Sequence, residues 1–562
     1  MAFNRRKFLK TVAAGAAVGS IQTFGFSRAS AFSDVNIANR MKMPGTYAGD
    51  TLSLRQGSAN IYTDHVSSVL MFGSYLSPIV RANRGDIQSV KILNNYTSPV
   101  AVHWHGLDVP SDMDGHPKDA FAPGTSKEYS FRVLNRAGTY FYHSHSHMST
   151  GPEVNKGLVG LFIVHDDEER ALGLPSGERD VPILIQDVRF DSSQQIVYTP
   201  MAVDMVQGWL GNVVLANGTP KAYHELTPTY HRLRLVNGSN ARIYNLRLSD
   251  NSDMVVIGGD GGLLEVPETA SSIMLAPGER ADVLVDFSRY NSGSTVTLLS
   301  GAFNAPGGGH MGDSQYPQGV AYNVVEFRIV GQNDNTFVLP TVLSTIPPLP
   351  PLTGITKRKF DLQMSMAGGM KHTINGNTFE MLRTDFTLAA GTTEVWEIRN
   401  METDMFHPIH VHGPQFRVVS RTNGQLAPHE KAYKDTILVH PSETVRILVT
   451  ASSYLGLSLI HCHNLEHEDD GMMLNIMVSA ATGVLDDDHV EIEMYPQPTS
   501  DSIIIRHNKK GKQNIELSDI HGRAVLSTSI NEGETRISLT NLANGTYVAR
   551  IGSFAKTIIL QR

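Results

Sequence analysis

Short apolar runs rich in β-branched residues recur along the chain, and they constrain its fold more than any other feature. Each run is bounded by Gly, Pro, Asn or Asp, the residues that end strands and form turns. The runs lie at 87–93, 157–164, 182–186, 255–258, 282–286, 445–449 and 473–478. This pattern predicts an all-β chain built of β-sandwiches.

A similar turn precedes three of the predicted strands. The turns at 122–124 (APG), 276–278 (APG) and 389–391 (AAG) precede strands predicted at 129–133, 281–285 and 394–398. Intervals of more than one hundred residues indicate three similar sandwiches and not a short-period solenoid. A Pro-rich extended linker at 333–351 and an acidic run at 486–488 mark boundaries. We therefore predict domains at 45–168, 176–332 and 352–482, followed by a small β-sandwich at 490–562.

The N-terminus resembles a twin-arginine signal peptide. Residues 4–10 read NRRKFLK, a mildly apolar stretch follows at 11–26, and 29–31 (ASA) has the small residues of a cleavage site. The stretch is too short for the ~20 apolar residues that a membrane span needs. We predict that 1–31 are a signal peptide read by the twin-arginine export machinery. The mature chain is then exported and has no membrane span.

Charge and cysteine content exclude two classes of interaction. The 47 basic and 55 acidic residues give a net charge of −8, and no basic stripe is available to neutralise phosphates, so no nucleic acid partner is expected. Cys462 is the only cysteine, so the chain can form no intramolecular disulfide.

Four histidine clusters carry the chemistry. They are His103-Trp-His105, His143-Ser-His145, His407-Pro-Ile-His410-Val-His412 and His461-Cys462-His463, the last followed by His467 and Met472. On a strand, residues i and i+2 share a face and lie ~6.6 Å apart, so each H-x-H pair can serve neighbouring metal ions. The remaining histidines, including His65, His147, His310 and His372, are expected to be surface or core residues.

Cys462 stands between two histidines, and the strand pleat turns it to the opposite face. With His407, His467 and a weak axial Met472 it would form the ligand set of a blue-copper electron-transfer site. The other eight histidines are too many for one metal and suit a group of imidazole-bound copper ions with positions open for oxygen. Zinc would require closed four-ligand sites, commonly with several cysteines.

These clusters resemble the four copper-binding motifs of multicopper oxidases, in order and position, over roughly residues 45–480. The run HCHNLEHEDDGMM at 461–473 is most similar to bacterial copper-efflux oxidases, laccases and bilirubin oxidases. The resemblance implies three cupredoxin-like Greek-key sandwiches and four copper ions. In this assignment, type 1 copper takes His407, Cys462, His467 and Met472; type 2 takes His103 and His410; and the type 3 pair takes His105, His143, His145, His412, His461 and His463.

The resemblance also implies a reaction: one-electron oxidation of a reducing substrate coupled to reduction of dioxygen to water. Glu468 and Asp114 occupy positions where this family places acids that relay protons. The alternative role for both carboxylates is to orient ligand histidines by hydrogen bonds.

The reducing substrate is left open between Cu(I) and phenols or aryl amines. A thioether is a soft ligand suited to Cu(I), and Met364, Met366 and Met370, with Asp404 and Met405, lie near the third histidine cluster in sequence. Methionines at alternate strand positions also fill gaps in cores.

The tail at 495–562 is similar to the C-terminal sorting domains of proteins exported by type IX secretion, which makes that machinery a candidate partner. A carbohydrate-binding module is the alternative. Two other functions are alternatives for the whole chain: a copper nitrite reductase, and a non-enzymatic cell-division or structural factor of the same fold. A monomer is expected, because the ligand set is complete within one chain.

Overall fold

A computed structural model describes residues 38–49, 51–62, 65–305, 314–333, 335–366, 369–480 and 492–562, the last range without 496–498, 508–511, 520–522, 532 and 552–553. The predicted signal peptide and the acidic run at 486–488 lie outside these residues. The chain divides into two compact units, one ending at Ala480 and the other beginning at Ala481. Among the described residues, no helix combines the length and apolar character needed to cross a bilayer.

The first sandwich is built from two four-stranded sheets, in the orders β3-β2-β5-β7 and β4-β9-β8-β6. The first strand of the chain, β1 (Asn39–Arg40), belongs to a sheet of the second sandwich. The strands of the first sandwich are β2 (Leu52–Tyr62), β3 (His65–Phe72), β4 (Val80–Asn83), β5 (Ile87–Asn94), β6 (Val102–His105), β7 (Ser126–Arg132), β8 (Gly138–Ser144) and β9 (Val159–His165), and its helices are α1 (Thr150–Asn155) and α2 (Asp167–Ala171). Trp104 and Tyr129 lie in the core between the sheets.

The second sandwich has larger sheets, in the orders β1-β14-β22-β21-β16-β19 and β13-β12-β10-β15-β20-β17-β18, with β11 beside β10. Its elements are β10 (Asp180–Phe190), β11 (Ile196–Val197), α3 (Ala202–Gln207), β12 (Val213–Ala216), β13 (Thr219–Pro220), β14 (Ala222–Leu226), β15 (Tyr230–Asn237), β16 (Tyr244–Leu248), β17 (Met254–Gly259), β18 (Gly262–Ala270), β19 (Ile273–Leu275), β20 (Arg280–Asp286), β21 (Thr295–Ser300) and β22 (Tyr322–Ile329). The predicted Pro-rich linker packs against this sandwich, because Leu343 and Ile346 are buried in its core.

The third sandwich has sheets in the orders β24-β23-β26-β31-β28-β29 and β25-β33-β32-β27-β30. Its elements are β23 (Thr356–Ser365), β24 (Lys371–Ile374), β25 (Phe386–Ala389), β26 (Thr393–Asn400), β27 (His407–Val411), β28 (Phe416–Arg421), β29 (Tyr433–Lys434), β30 (Thr436–Val439), β31 (Thr444–Thr450), β32 (Gly456–Cys462), α4 (Leu465–Asp469) and β33 (Met473–Ser479). Its apolar core includes Cys462 and Met472.

The three sandwiches share a topological feature: apart from β1, which runs parallel to β14, each of their two sheets contains one parallel pair of strands. These pairs are β2/β5 and β4/β9, β10/β15 and β14/β22, and β23/β26 and β25/β33. A hairpin cannot join parallel strands, so the chain crosses between the sheets, as in Greek-key sandwiches. The all-β prediction and the similarity of the three sandwiches are therefore confirmed.

The C-terminal unit has its own core and two sheets, in the orders β34-β35-β38 and β37-β36-β39-β40. The strands are β34 (Ile492–Tyr495), β35 (Ser502–His507), β36 (Gln513–Asp519), β37 (Ala524–Ile530), β38 (Gly533–Ser538), β39 (Gly545–Ile551) and β40 (Phe554–Leu560). Ile503, Ile515 and Ile558 are fully buried in its core.

Candidate metal centre

Two neighbouring strands of the first sandwich bring four histidines together. His103 and His105 lie in β6, and His143 lies in β8 directly across from His103 in the strand register. His145 follows immediately after β8. Because β6 and β8 are adjacent, their imidazoles point to a common region at the end of the sheet.

Two strands of the third sandwich supply the other cluster histidines. His410 in β27 is paired with His461 in β32, and Ile409 is paired with Cys462. His412 and His463 each lie one residue beyond these strands. The pleat separates the side chains as predicted: Cys462 enters the apolar core, whereas His461 faces the histidines of the first sandwich.

The eight histidines form one buried group, and none of them is more than 3% exposed. Burial, reinforced in most cases by neighbouring imidazoles, lowers the pKa well below 6.5 for His105, His143, His145, His410, His412 and His463. These rings are therefore neutral at pH 7. A neutral imidazole keeps one nitrogen lone pair available for a metal.

Six of the eight rings form three pairs: His103 with His410, His412 with His461, and His105 with His143. In each ring, the nitrogen that faces away from the partner ring, here called the outer nitrogen, lies at hydrogen-bond distance from an oxygen acceptor. The outer nitrogens of His103 and His410 lie 2.6 and 2.9 Å from the carbonyl oxygens of Asp114 and Asp435. His143 Nδ1 lies 2.8 Å from the Ser144 carbonyl, and His461 Nδ1 lies 3.1 Å from the Cys462 carbonyl. A carbonyl oxygen only accepts, so these nitrogens carry the proton.

The inner nitrogens of the same three pairs face each other. The Nε2 atoms of His103 and His410 are 3.2 Å apart, those of His412 and His461 are 3.1 Å apart, and His105 Nδ1 lies 3.4 Å from His143 Nε2. The outer nitrogens of His105 and His412 contact Asp435 and Asp114 carboxylates at 3.1 and 2.9 Å. Two facing lone pairs repel unless a cation lies between them, so these residues fit a group of bound metal ions.

His145 and His463 complete the group without such outer contacts. His145 Nδ1 and both ring nitrogens of His463 are buried and have no hydrogen-bond partner in another described residue. His145 Nε2 lies 3.4 Å from His461 Nε2, and the His463 ring centroid is 4.8 Å from that of His105. Buried polar atoms without partners are costly, and metal ligation would satisfy them.

The second site surrounds Cys462. Its sulfur lies 3.6 Å from Nδ1 of His407 and 3.6 Å from Nδ1 of His467. Ligands bonded to one ion at about 2.0–2.3 Å are separated by roughly 3.3–3.8 Å. Met472 is fully buried in the same core. The set therefore has the donor chemistry and spacing that copper requires.

Burial and hydrogen bonding set the state of the donor atoms at this second site. Burial raises the pKa of the Cys462 thiol, so the free thiol stays protonated at neutral pH, and a bound metal would release that proton. The outer nitrogens of the two histidines are held in place: His407 Nε2 lies 3.2 Å from Glu402 Oε2, and His467 Nε2 lies 3.0 Å from the Val206 carbonyl in α3.

The two predicted relay carboxylates both lie against the histidine group. Glu468 in α4 places Oε2 at 3.3 Å from His461 Nδ1 and Oε1 at 3.7 Å from His145 Nε2. Asp114 Oδ2 lies 2.9 Å from His412 Nδ1, and its carbonyl binds His103. Both side chains are almost fully buried.

The predicted substrate residues are more scattered. Met405 is buried and Met366 is 75% exposed, while Met364, Met370 and Asp404 are half-buried. The carboxylate that contacts His407 is Glu402, which also accepts a hydrogen bond from the Met364 backbone amide. Glu402 lies in a loop, where no strand alternation distinguishes it from Asp404 in the sequence.

Two further residues beside the sites were not singled out from the sequence. Asp435 contacts His105 and His410 from a turn between β29 and β30. His372, expected to be an ordinary surface or core histidine, is buried and stacks on His467 with ring centroids 3.7 Å apart. Both reach the sites through tertiary packing, which sequence spacing does not reveal. His147 is exposed and lies beside Phe379.

Sequence profiles described as multicopper oxidase match residues 54–169, 213–295 and 345–482, and one described as a secretion system C-terminal sorting domain matches 493–561. A multicopper oxidase from Staphylococcus haemolyticus is 33% identical over 450 residues, covering 79% of this chain and 91% of that protein. A laccase from Bacillus subtilis is 32% identical over 464 residues, covering 71% and 88%. The crystal structure of the McoA multicopper oxidase from Aquifex aeolicus has a TM-score of 0.72 and 34% identity, covering 79% of this chain and 99% of that one.

The chain belongs to the multicopper oxidase family. It is a copper-dependent oxidoreductase of all-β fold, and its last domain is a secretion sorting domain that indicates export. The predictions of family, enzyme class, fold class and sorting domain are confirmed.

Proposed function

We propose that the chain holds four copper ions and couples one-electron oxidation of a reducing substrate to four-electron reduction of dioxygen to water. The observation that carries this proposal is the set of three facing nitrogen pairs beside the buried Cys462 site. Each facing pair gives one ion of the histidine group two ligands. His145 and His463 then complete the type 3 pair, and Cys462 with His407, His467 and Met472 holds the type 1 ion.

Copper bound at these residues would supply one-electron redox chemistry and open positions for dioxygen. The chain supplies the connection between the two sites. Cys462 is bonded through the backbone to His461 and His463, and its carbonyl accepts a hydrogen bond from His461 Nδ1 at 3.1 Å. This tripeptide is a direct covalent route from the Cys462 site to the histidine group. Substrate and dioxygen therefore need not meet.

Proton supply is assigned to Glu468 and Asp114. Reduction of dioxygen to water consumes protons at a site that is closed to solvent, so a titratable group has to deliver them. Glu468 lies against His461 and His145, and Asp114 lies against His412. Asp114 also orients its two histidines through the contacts described above, so the two proposed roles coexist in that residue.

The reducing substrate is proposed to approach at Glu402 and His407. A carboxylate there accepts a hydrogen bond from a phenol or aryl amine, and together with methionine sulfur it also suits Cu(I). Met364 and Met366 lie on the segment whose backbone binds Glu402. Oxygen uptake separates the two substrates: a Met364→Leu/Met366→Leu variant should slow Cu(I) oxidation and leave phenol oxidation unchanged.

The proposed domain limits are 45–168, 176–332 and 352–482 for the cupredoxin-like domains, and 490–562 for the sorting domain. We also assign residues 1–31 to twin-arginine export, the sorting domain to a type IX secretion machinery, and the final location to the periplasm, cell surface or medium. Immunodetection in cell fractions, with and without residues 490–562, tests this assignment. Retention of both forms in the same fraction contradicts the role of the tail.

The complete ligand set supports an enzyme over a structural factor of the same fold. A nitrite reductase would lack the coupled type 3 pair. The decisive experiment measures copper content, the visible spectrum and oxygen uptake of the reconstituted chain beside a Cys462→Ser variant. Four ions and an intense blue band that the variant lacks are expected. Absence of the band in the fully reconstituted parent protein refutes the type 1 assignment.

A further inference from the structure

The second sandwich contributes no proposed ligand, yet it forms one wall of the histidine group. Gly278, just before β20, has φ +84°, and a Cβ at this position would lie 3.1 Å from His105 Cε1 and 3.1 Å from His463 Cγ. A side chain at this position would crowd both rings, and its positive φ is a conformation that glycine adopts without strain. The segment leads directly into Arg280, the first residue of β20.

Arg280 is fully buried, and all five of its N–H donors have an acceptor. Nη1 and Nη2 donate to the two carboxylate oxygens of Asp435 at 2.5 and 2.6 Å. The remaining donors reach the carbonyl oxygens of Gly278, Asp260 and Thr139 at 2.9, 2.9 and 3.0 Å. Bidentate pairing adds geometric specificity to the charge attraction, so this guanidinium has one orientation.

Asp435, held by Arg280, in turn orients two histidines through hydrogen bonds. Its Oδ1 lies 3.1 Å from His105 Nε2, and its carbonyl oxygen lies 2.9 Å from His410 Nδ1. The turn after His105 is fitted to the ion pair as well. A Cβ on Gly106 would lie 2.4 Å from Asp435 Oδ2 and 2.7 Å from Arg280 Nη2.

We propose that Arg280 is a positioning residue for the copper cluster, acting through Asp435 on one type 3 ligand, His105, and one type 2 ligand, His410. The second sandwich, which supplies no proposed copper ligand, thereby sets the geometry of a site whose ligands all come from the first and third sandwiches. This inference rests on the ligand assignment of the proposed function. A buried ion pair by itself is weak evidence for stability, so a role in ligand geometry has to be separated from a role in folding.

Arg280→Lys is the informative variant. It keeps the positive charge but cannot form the bidentate pair and the three carbonyl contacts at once. Arg242→Lys is the matched control. Arg242 is also a buried arginine of the second sandwich, paired with Asp187 at 2.7 Å, and its partners in the structure include none of the proposed copper ligands. Both variants are made in the full chain and loaded with copper.

The readouts are copper per chain, the affinity of the cluster for copper by competition with a chelator, the electron paramagnetic resonance spectrum of type 2 copper, and the blue band. Loss of outer partners of metal ligands costs about 10–100-fold in metal affinity or activity. We expect Arg280→Lys to show that loss and an altered type 2 spectrum with the blue band intact. Arg242→Lys should match the parent protein in all four.

Cluster copper in Arg280→Lys that matches the parent protein, or equal losses in both lysine variants, overturns the inference. If Arg280→Lys does not fold, as judged by the missing blue band, Asp435→Asn replaces it, since it keeps the side-chain shape and removes the carboxylate. A copper affinity of the cluster in Asp435→Asn that matches the parent protein likewise overturns the inference. A parent protein that binds no cluster copper refutes the proposed function as well, and the two failures are thereby distinguished.

Discussion

Glu153 gives a prediction whose size follows from its surroundings. This glutamate lies in α1, is 3% exposed, and accepts hydrogen bonds from the hydroxyl groups of Ser144 and Ser146. Burial raises its pKa from 4.5 to about 7, although the two serines oppose the shift. The neutral form is therefore the stable one in the folded chain at mildly acidic pH.

The sign of the effect on stability follows from proton binding. The unfolded chain releases the Glu153 proton near pH 4.5 and the folded chain near pH 7, so between these values the folded state binds more protons. Stability therefore falls as pH rises through this window. One pKa unit corresponds to 1.36 kcal/mol, which gives a contribution from Glu153 that falls by about 2.5 kcal/mol between pH 5 and pH 8.

Glu153→Gln removes this pH-dependent contribution to the free energy of unfolding, because the amide does not ionise and can still bond to both serines. The free energy of unfolding of the parent protein should drop by about 2.5 kcal/mol more than that of the variant between pH 5 and pH 8. Urea titrations followed by tryptophan fluorescence measure it, since Trp104, Trp209 and Trp396 are buried, one in each large sandwich. Other titrating groups are common to both proteins and cancel.

Glu178→Gln serves as the control, since Glu178 is exposed and should leave the pH dependence unchanged. Equal pH dependence of the parent protein and Glu153→Gln would refute the reasoning, because it would mean that Glu153 is already ionised at pH 5 in the folded chain. A larger drop in the variant would contradict the assigned sign.

Three other predictions concern the sites. Cys462→Ser should abolish the blue band and leave three copper ions per chain, as measured by absorption and elemental analysis; a retained band would exclude Cys462 as the ligand. Glu468→Gln should lower the rate of oxygen uptake by about 10²–10⁴-fold at unchanged copper content, which is the usual contribution of general acid–base catalysis. Glu468→Asp should recover part of that rate, because it keeps a carboxyl group. Equal rates in the two variants would argue against proton delivery by Glu468. Glu402→Gln should lower kcat/KM for an aryl amine by about 10–100-fold, which corresponds to the loss of a charge-assisted hydrogen bond. Oxygen uptake should not change when a chemical reductant supplies the electrons. An unchanged kcat/KM would mean that the substrate binds elsewhere.

Strand alternation made much of the site predictable from the sequence. The separation of Cys462 from His461 follows from the period-2 pleat of β32, and the pairing of H-x-H motifs follows from adjacent strands. Strand alternation does not predict the direction of side chains that lie outside strands. His145, His412 and His463 all lie just past a strand end, and their place in the group depends on how two sandwiches pack.

Contacts that depend on loop conformation or on tertiary packing could not be predicted in this way. Asp404 and Glu402 are two positions apart in a loop, and only the tertiary structure shows that Glu402 meets His407. Asp435 and Arg280 are separated by 155 positions, and neither belongs to a motif. The composition of the Pro-rich segment predicts a stiff extended linker, but Leu343 and Ile346 are buried against the second sandwich.

The division of the histidine group between the first and third sandwiches has a consequence for maturation. His145 and His410 are separated by 265 positions, so a nascent or partly folded chain offers only half of the ligands proposed for this group. Tight binding of metal ions by this group has to follow the docking of the two sandwiches, and each ion bound there then stabilises the docked state by mass action. In the proposed assignment, copper binding by this group is therefore the last step of maturation. The resistance of the chain to proteolysis should then increase with the free copper concentration.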